Sequence, residues 1–532
     1  MSLNMTNLYH VFSEHLKAEK PLFLNRDQQC EATYGALDSR SAQYAGALLK
    51  AGLEPGDRVA VQIEKSYENI YLYCGCLRAG LIYLPLNTAY QASELSHFIN
   101  DAKPKLFVID PAASTAYLDQ LDHQVQTLTL DQEGFGSLRD WVDASPAHRE
   151  IFPSQNHDVA VIVYTSGTTG LPKGAMISHG NLVSNVRALR SAWGWTEHDV
   201  ILHTLPIFHV HGLFVGLHLP LLSNSPVILM ASFNADSVIK ALPHATVFMG
   251  VPTYYTRLLS SGITPKDCAN MRLFTSGSAP LLSQTFTDWE QATGTTILER
   301  YGMTETGMNT SNPLEGQRKK GTVGPPLPGV ECRAVDASGM DVAPGETGDL
   351  WVRGENVFHG YWQNAEKTAE SFTDQGPVHG FFKTGDLASI DREGYVTIVG
   401  RNKDLIISGG LNVYPKEIEL LIDQLDGVLE SAVIGLPHPD FGESVCAVIV
   451  PTRENDRSED DIISLLKADI ANFKVPKHVF FTTELPRNTM GKVQKNELRT
   501  RFSPPLTSRT KRSISEPGLD SRCLSQVEAR IS

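Results

Sequence analysis

Val159-Ala-Val-Ile-Val163 runs straight into Tyr164-Thr165-Ser166-Gly167-Thr168-Thr169-Gly170-Leu171-Pro172-Lys173-Gly174. The apolar run reads as a buried strand. From Thr165 to Gly174 the chain then places three glycines, four hydroxyl side chains and one lysine within ten residues. Glycine lets backbone approach a ligand closely and adopt positive φ. Successive backbone N–H groups in such a loop form an anion-binding concavity. The hydroxyls add donors, and Lys173 adds a point charge suited to phosphate. The G-x-x-x-x-G-K-[ST] spacing of a Walker A loop is absent. The stretch therefore predicts a phosphate-binding turn of another kind, set at the end of a sheet strand.

Upstream, Arg58–Ile63 reads as a strand, Tyr67–Ala79 as a helix and Leu81–Leu86 as a strand, a βαβ unit with a right-handed crossover. Residues 7–20 read as a helix carrying Leu8, Phe12 and Leu16, and 111–157 as a surface connection with a short strand or two. Downstream, strands alternate with helices. Arg272–Ser276 ends at Ser276-Gly277-Ser278-Ala279-Pro280, and Thr296–Arg300 ends at Tyr301-Gly302-Met303-Thr304-Glu305-Thr306-Gly307. Open α/β sheets collect ligands at such strand ends. From Gly324 short alternating strands predict a small β-rich subdomain, and from Gly400 a smaller α+β domain runs to about Arg501. The fold class expected is α/β. Residues 1–402 form a large N-terminal domain of parallel sheets packed with helices plus the β-rich part, and 403–501 a small α+β domain. Residues 502–532, rich in Ser, Pro, Thr and Arg, read as a disordered tail.

A chain of 532 residues is too long for one ordinary core. Its formal net charge of -14 argues against a general nucleic-acid binder, so an anionic substrate must meet a local cationic pocket. The seven cysteines are scattered, with no C-x-x-C pair, which fits a reducing compartment better than disulfides or a zinc site. Met1–Lys20 lacks the apolar run of a secretory signal, and no run of about 18 apolar residues predicts a membrane span. A cytoplasmic location follows as the expectation.

Five further stretches join the glycine loop in a fixed order: Ser276–Pro280, Tyr301–Thr306, Phe382-Lys-Thr-Gly-Asp386, Gly400-Arg401 and Pro486-Arg-Asn-Thr-Met-Gly-Lys492. Together they resemble the acyl-adenylate-forming superfamily, which includes acyl-CoA synthetases, over residues 7–501. The resemblance implies ATP and CoA as co-substrates, Mg²⁺ as cofactor, and an acyl-adenylate intermediate. It implies that Thr165, Ser166, Gly167, Thr168, Thr169, Gly170 and Lys173 cradle phosphate. Gly277, Ser278 and Ala279 would line the purine pocket, Tyr301 would offer its ring to adenine, and Thr304 would reach the α-phosphate. Glu305 would hold Mg²⁺, Asp386 the ribose hydroxyls, and Arg401 ribose or phosphate. Lys492 resembles the catalytic lysine of adenylation. Lys403 stands at the hinge about which the small domain of that superfamily turns, where many relatives carry aspartate. After the turn, Gly409 and Gly410 would meet the pantetheine arm of CoA.

The acyl site implied is lined by His209, Arg257, Ser276, Arg300 and Met303. The segments Glu299–Pro313, Phe248–Thr253 and Arg487–Lys495 are close to those of malonyl-CoA synthetases. Malonate, with methylmalonate second, is therefore the expected acid, its second carboxylate met by Arg257 or Arg300. A short- or medium-chain fatty acid or an aryl acid is the alternative. A nucleotide-binding protein without catalysis is the alternative of another class, against which the intact Glu305, Asp386 and Lys492 argue. The low-complexity stretch after Arg501 does not resemble a carrier-protein domain, so free CoA is the expected acceptor.

Overall fold

Strands that are apolar on both faces need cover from both sides. The N-terminal part of the chain supplies it with two helix-flanked sheets. The computed structural model describes residues 6–503 apart from 114, 116–117, 119–124, 166–171, 375, 409–410, 439–441, 453–456 and 490. In the first sheet the seven strands lie in the order Gly360–Tyr361, Lys173–Ser178, Val159–Thr165, Ile82–Pro85, Arg58–Gln62, Leu106–Ile109 and Gln126–Thr129. Val59 pairs in parallel with Tyr83 on one side and Leu106 on the other, so the chain crosses over between these strands, a connection that is right-handed by general rule. Thr165 pairs with Lys173, so the two ends of the glycine loop are pinched together by an antiparallel ladder.

The second sheet has eight strands and runs from Gly307–Ser311 through Ile297–Met303, Leu273–Ser276, Val247–Gly250, Ile201–His203, Val227–Leu229 and Pro21–Leu24 to Cys30–Thr33. Gly250 pairs with Ser276 and Ser276 with Glu299. That register sets the residues after three parallel strands side by side at one end of the sheet. Behind it, Trp289 packs edge-on against Tyr255 and Phe274, each at 4.9 Å between ring centroids. This fixes the helix Pro252–Ser260 on the sheet. A four-stranded antiparallel sheet, Val330–Val335, Thr347–Gly354, Phe382–Ile390 and Val396–Arg401, follows. Beyond it lies a five-stranded sheet with its own apolar core around Ile406, Ile418, Val433, Val445 and Leu466. Among the described residues no helix is long and apolar enough to cross a membrane.

Local expectations needed three corrections. The first helix spans Leu8–Ser13, not 7–20. The Asn224 side chain, itself in a left-handed cap, takes the Lys17 N–H at 2.8 Å and donates to the His15 carbonyl at 3.1 Å, which pulls the chain out of the helix. The connection 111–157 contains a helix, Ser137–Asp143, besides the strand Gln126–Thr129. The strand expected to stop at Arg300 continues to Met303 and folds back on Gly307–Ser311. Gly302 makes that hairpin possible, since a Cβ there would lie 2.1 Å from the Gly307 carbonyl oxygen. The predicted tail lies outside the described residues from 504 onward.

Gly324 joins the second sheet to the four-stranded one at φ +78°, and a Cβ there would fall 2.0 Å from the Ser311 carbonyl carbon. Gly324→Ala should lower the melting temperature by several degrees, because both the dihedral and the contact are backbone constraints. An unchanged melting curve would contradict this reading of the junction.

Candidate active site

The sheet end described above carries Arg300, which is 3% exposed. Its guanidinium lies against Gly277, where a Cβ would be 2.4 Å from Cζ. Nε and Nη2 are buried without a hydrogen-bond partner, and no carboxylate pairs with the group among the described residues. Burial draws its pKa down to about 10, so the group remains a cation at neutral pH. Two histidines stand in its field. His209 Nδ1 accepts the His211 backbone N–H at 3.2 Å, and His211 Nδ1 lies 3.3 Å from Ser278 Oγ. Burial first, then the charge of Arg300, pushes His209 to about 4 and His211 well below its ordinary value. Both are neutral at pH 7. The positive charge is thus concentrated on Arg300. Ser276, 1% exposed, keeps a buried Oγ without a partner, and Ser278 holds φ +70°. A left-handed non-glycine residue costs about 1–3 kcal/mol, and such strain clusters at functional sites.

The two candidate arginines separate here. Arg257 lies on the exposed side of the Pro252–Ser260 helix, whose buried positions are Tyr255 and Leu258. The site gathers Arg300, His209 and Ser276; Arg257 is exposed, one helical turn beyond Thr253. Met303 sits at the rim, 3.9 Å by its Sδ from the Tyr301 hydroxyl.

Glu305 follows the hairpin strand and is 7% exposed. It accepts from Thr165 Oγ1 at 3.4 Å and from the Tyr361 hydroxyl at 3.1 Å. Among the described residues no cation is paired with it, and burial raises its pKa. Lys173 approaches the same corner, 5.9 Å above the Tyr361 ring. Among the described residues no group of three or more His, Cys, Asp or Glu side chains is placed to hold a metal. A lone buried carboxylate with a hydroxyl beside it suits a hard cation that takes its remaining ligands from phosphate and water. The residues therefore fit Mg²⁺ in that manner and fit a zinc cage poorly. Tyr361 was not singled out by sequence reasoning: a Gly-Tyr pair after an irregular stretch carries no spacing signal.

Asp386, 3% exposed, pairs with Arg401 at 2.7 Å and accepts from the Tyr301 hydroxyl at 2.5 Å. Tyr301 is thereby oriented by its phenol end, leaving the ring to offer a face. Thr304 stands half-buried in the turn before Glu305. Ser166, Gly167, Thr168, Thr169 and Gly170 of the loop, and Gly409 and Gly410, lie outside the described residues.

Lys492 comes from the small domain. Its loop closes on itself, Lys492 N–H donating to Asn488 Oδ1 at 2.9 Å. The preceding Gly491 abuts the acid side of the site, where a Cβ would lie 3.3 Å from Thr253 Oγ1. The lysine keeps solvent-exposed surface, yet the walls around its ammonium and the charges of Arg401 and Lys403 lower its pKa to about 8, with Asp386 and Asp404 opposing. Lys403 lies in a short turn whose flanks are tied down. Asn402 donates to Asp349 at 3.0 Å, and Arg499 pairs with Asp404 at 2.8 Å. A cleft of about 1130 Å³ lies elsewhere. It is lined by Asn181, Asn185, Arg187, Glu355 and Asn356 among others, and by none of the site residues above.

Set against known proteins, residues 13–362 match the family model described as AMP-binding enzyme, and 417–492 that of the AMP-binding enzyme C-terminal domain. The malonate–CoA ligase of Arabidopsis thaliana is 34% identical over 518 residues, 90% of this chain and 82% of that protein. A long-chain-fatty-acid–CoA ligase of Yersinia pestis is 32% identical over 524 residues, 91% of this chain and 92% of that protein. The crystal structure of ATP-bound MatB from Rhodopseudomonas palustris superposes with a TM-score of 0.90 at 47% identity, covering 93% of this chain and 99% of that one.

A carboxylate whose folded pKa is raised binds more protons folded than unfolded, so its contribution to stability falls as pH rises through the carboxylate range. Glu305→Gln removes that burden. The free protein should melt higher at pH 7.5, while the added melting shift produced by ATP with Mg²⁺ should disappear. A full ligand-induced shift in the variant would contradict the role of Glu305.

Proposed function

The chain belongs to the AMP-binding enzyme family and is an AMP-forming acid–CoA ligase, and on that premise we propose that its acid is malonate, with methylmalonate as the second candidate. The reaction so read converts the free diacid, ATP and CoA to malonyl-CoA through an acyl-adenylate, releasing AMP and pyrophosphate. A malonate ligase and a fatty-acid ligase match this chain at 34% and 32%, so similarity alone does not choose between them. The observation that carries the choice is Arg300, a buried cation with no anionic partner among the described residues. An alkyl chain would leave it uncompensated, and a buried unpaired charge is strongly unfavourable. A second carboxylate would pair with it through charge-assisted hydrogen bonds. Because Nε and Nη2 are closed to solvent, the side chains around them must yield when the acid enters.

The first carboxylate attacks the α-phosphorus. Phosphoryl chemistry of this kind needs positioning and charge neutralisation more than covalent help. Lys492 would bridge the attacking carboxylate and the α-phosphate, where its charge is needed in the transition state. Thr304 would hold an α-phosphate oxygen, and Asp386 with Arg401 the ribose. Glu305, with Thr165 beside it, would hold Mg²⁺, which when bound neutralises phosphate charge. The small domain then turns about Lys403, the Lys492 loop leaves Thr253, and the Gly409–Gly410 region would face the pantetheine of CoA.

Three outcomes test this. Lys492→Ala should abolish adenylate formation yet still convert preformed malonyl-adenylate and CoA to thioester; equal loss of both half-reactions would overturn the two-position reading. In the wild type the adenylation rate should fall as pH rises through about 8, where Lys492 loses its proton, and the thioester half-reaction should not share that limb. Arg300→Ala should lower kcat/KM for malonate about a hundredfold or more, the value of two charge-assisted hydrogen bonds. Arg257→Ala, on the exposed side of its helix, should leave it nearly unchanged. A wild type that prefers octanoate would refute malonate.

A further inference from the structure

Lys65 follows the strand Arg58–Gln62 of the first sheet and precedes the helix Tyr67–Ala79, and it is 5% exposed. No carboxylate pairs with it among the described residues. Its ammonium instead donates to the Leu205 carbonyl at 2.9 Å and the His203 carbonyl at 3.3 Å, and faces His203 Nδ1 at 3.4 Å. An ammonium facing Nδ1 leaves the imidazole proton on Nε2, which lies 2.9 Å from the Gly212 carbonyl oxygen and donates to it. Lys65 therefore grips the entry of the segment Leu205–Gly212 directly and its exit through the His203 ring. Between the two grips stand His209 and His211, the neutral imidazoles in the field of Arg300.

The packing leaves little slack in this arrangement. A Cβ on Gly212 would lie 2.1 Å from the Pro206 carbonyl oxygen, and one on Gly216 would lie 2.6 Å from His203 Nε2. The segment leaves through a π-helix, His211–Leu217, a rare geometry found chiefly at functional sites. Burial without a counterion is expensive for an ammonium and draws the Lys65 pKa down to about 7, and an apolar residue could fill the same space at lower cost. What the amine gives here, from one point, is donors to the Leu205 and His203 carbonyls and a contact with His203 Nδ1, joining the first sheet to the loop that walls the acid pocket.

We propose that Lys65 is a positioning residue for the acid pocket, holding His209 and His211 against Arg300 and so setting the preference for a dicarboxylate. The inference rests on the malonate reading above, and the test separates the two. Wild type and Lys65→Met are compared for malonate, propionate and ATP. The variant should raise KM for malonate roughly 10- to 100-fold, the factor for one lost charge-assisted hydrogen bond. Its kcat at saturating malonate and its KM for ATP should stay within about twofold. A malonate KM unchanged in Lys65→Met while the wild type prefers malonate overturns this inference and leaves the malonate reading standing. A wild type indifferent between malonate and propionate overturns both. Loss of kcat and ATP affinity together with melting temperature shows a general structural role and overturns positioning. Should Lys65→Met not fold, imidazole nitrogen resonances of the ¹⁵N-histidine-labelled wild type decide: His203 neutral and protonated on Nε2 from pH 6 to 8 supports the grip, and an Nδ1–H tautomer or a titrating His203 overturns it.

Discussion

A guanidinium buried without an anion governs the layout of this site. Arg300 lies flat against Gly277, in space that any side chain there would occupy. Its neighbours His209 and His211 are held neutral by burial and by its charge. The ordinary remedies for a buried charge are a paired carboxylate or a shift to neutrality, and neither is present: Arg300 stays a cation, and its nearest titratable partners have yielded their protons. The free protein therefore carries an unfavourable charge that a dianionic substrate would relieve. That is a means of selecting for the substrate's second charge instead of its length, since loss of a matched polar group discriminates far more strongly than loss of a methylene.

Around that cation the two halves of the reaction need different surroundings. On the proposed reading adenylation would use Lys492 in the field of Arg401 and Asp386, where burial and the charge of Arg401 lower its pKa. The loop reaches that place through contact between Gly491 and Thr253, on the same helix that carries the outward Arg257. Departure of the loop would expose the acid side of the site to the second nucleophile. The ties flanking Lys403, Asn402 to Asp349 and Asp404 to Arg499, are polar and partly exposed. Such contacts are individually weak, which would suit the hinge proposed there.

Much of this could be read from the chain alone. The glycine loop followed an apolar run and its pinched base is seen in the Thr165–Lys173 pair, while the alternation of strands and helices gave the parallel sheets. What escaped was set by contacts remote in sequence. Asn224 cuts the first helix short from more than 200 residues away. Tyr361 meets Glu305 across 56 residues, a link no spacing announces. Arg257 and Arg300 looked equivalent because composition does not say which way a side chain points; the burial of Tyr255 and Leu258 turns Arg257 outward, and the pleat of the 297–303 strand turns Arg300 in. Lys65 was not singled out in the sequence, where it is one lysine between a strand and a helix, and only the fold brings it to His203.

The central claim is that Arg300 meets the second carboxylate of the acid. The most direct measurement is a crystal structure of the protein with an unreactive sulfamoyl mimic of malonyl-adenylate and Mg²⁺. The account predicts the distal carboxylate within hydrogen-bond distance of the Arg300 guanidinium, with His209 alongside and Arg257 still in solvent. A distal carboxylate held by Arg257 or left in water, with Arg300 still unpaired, would contradict it.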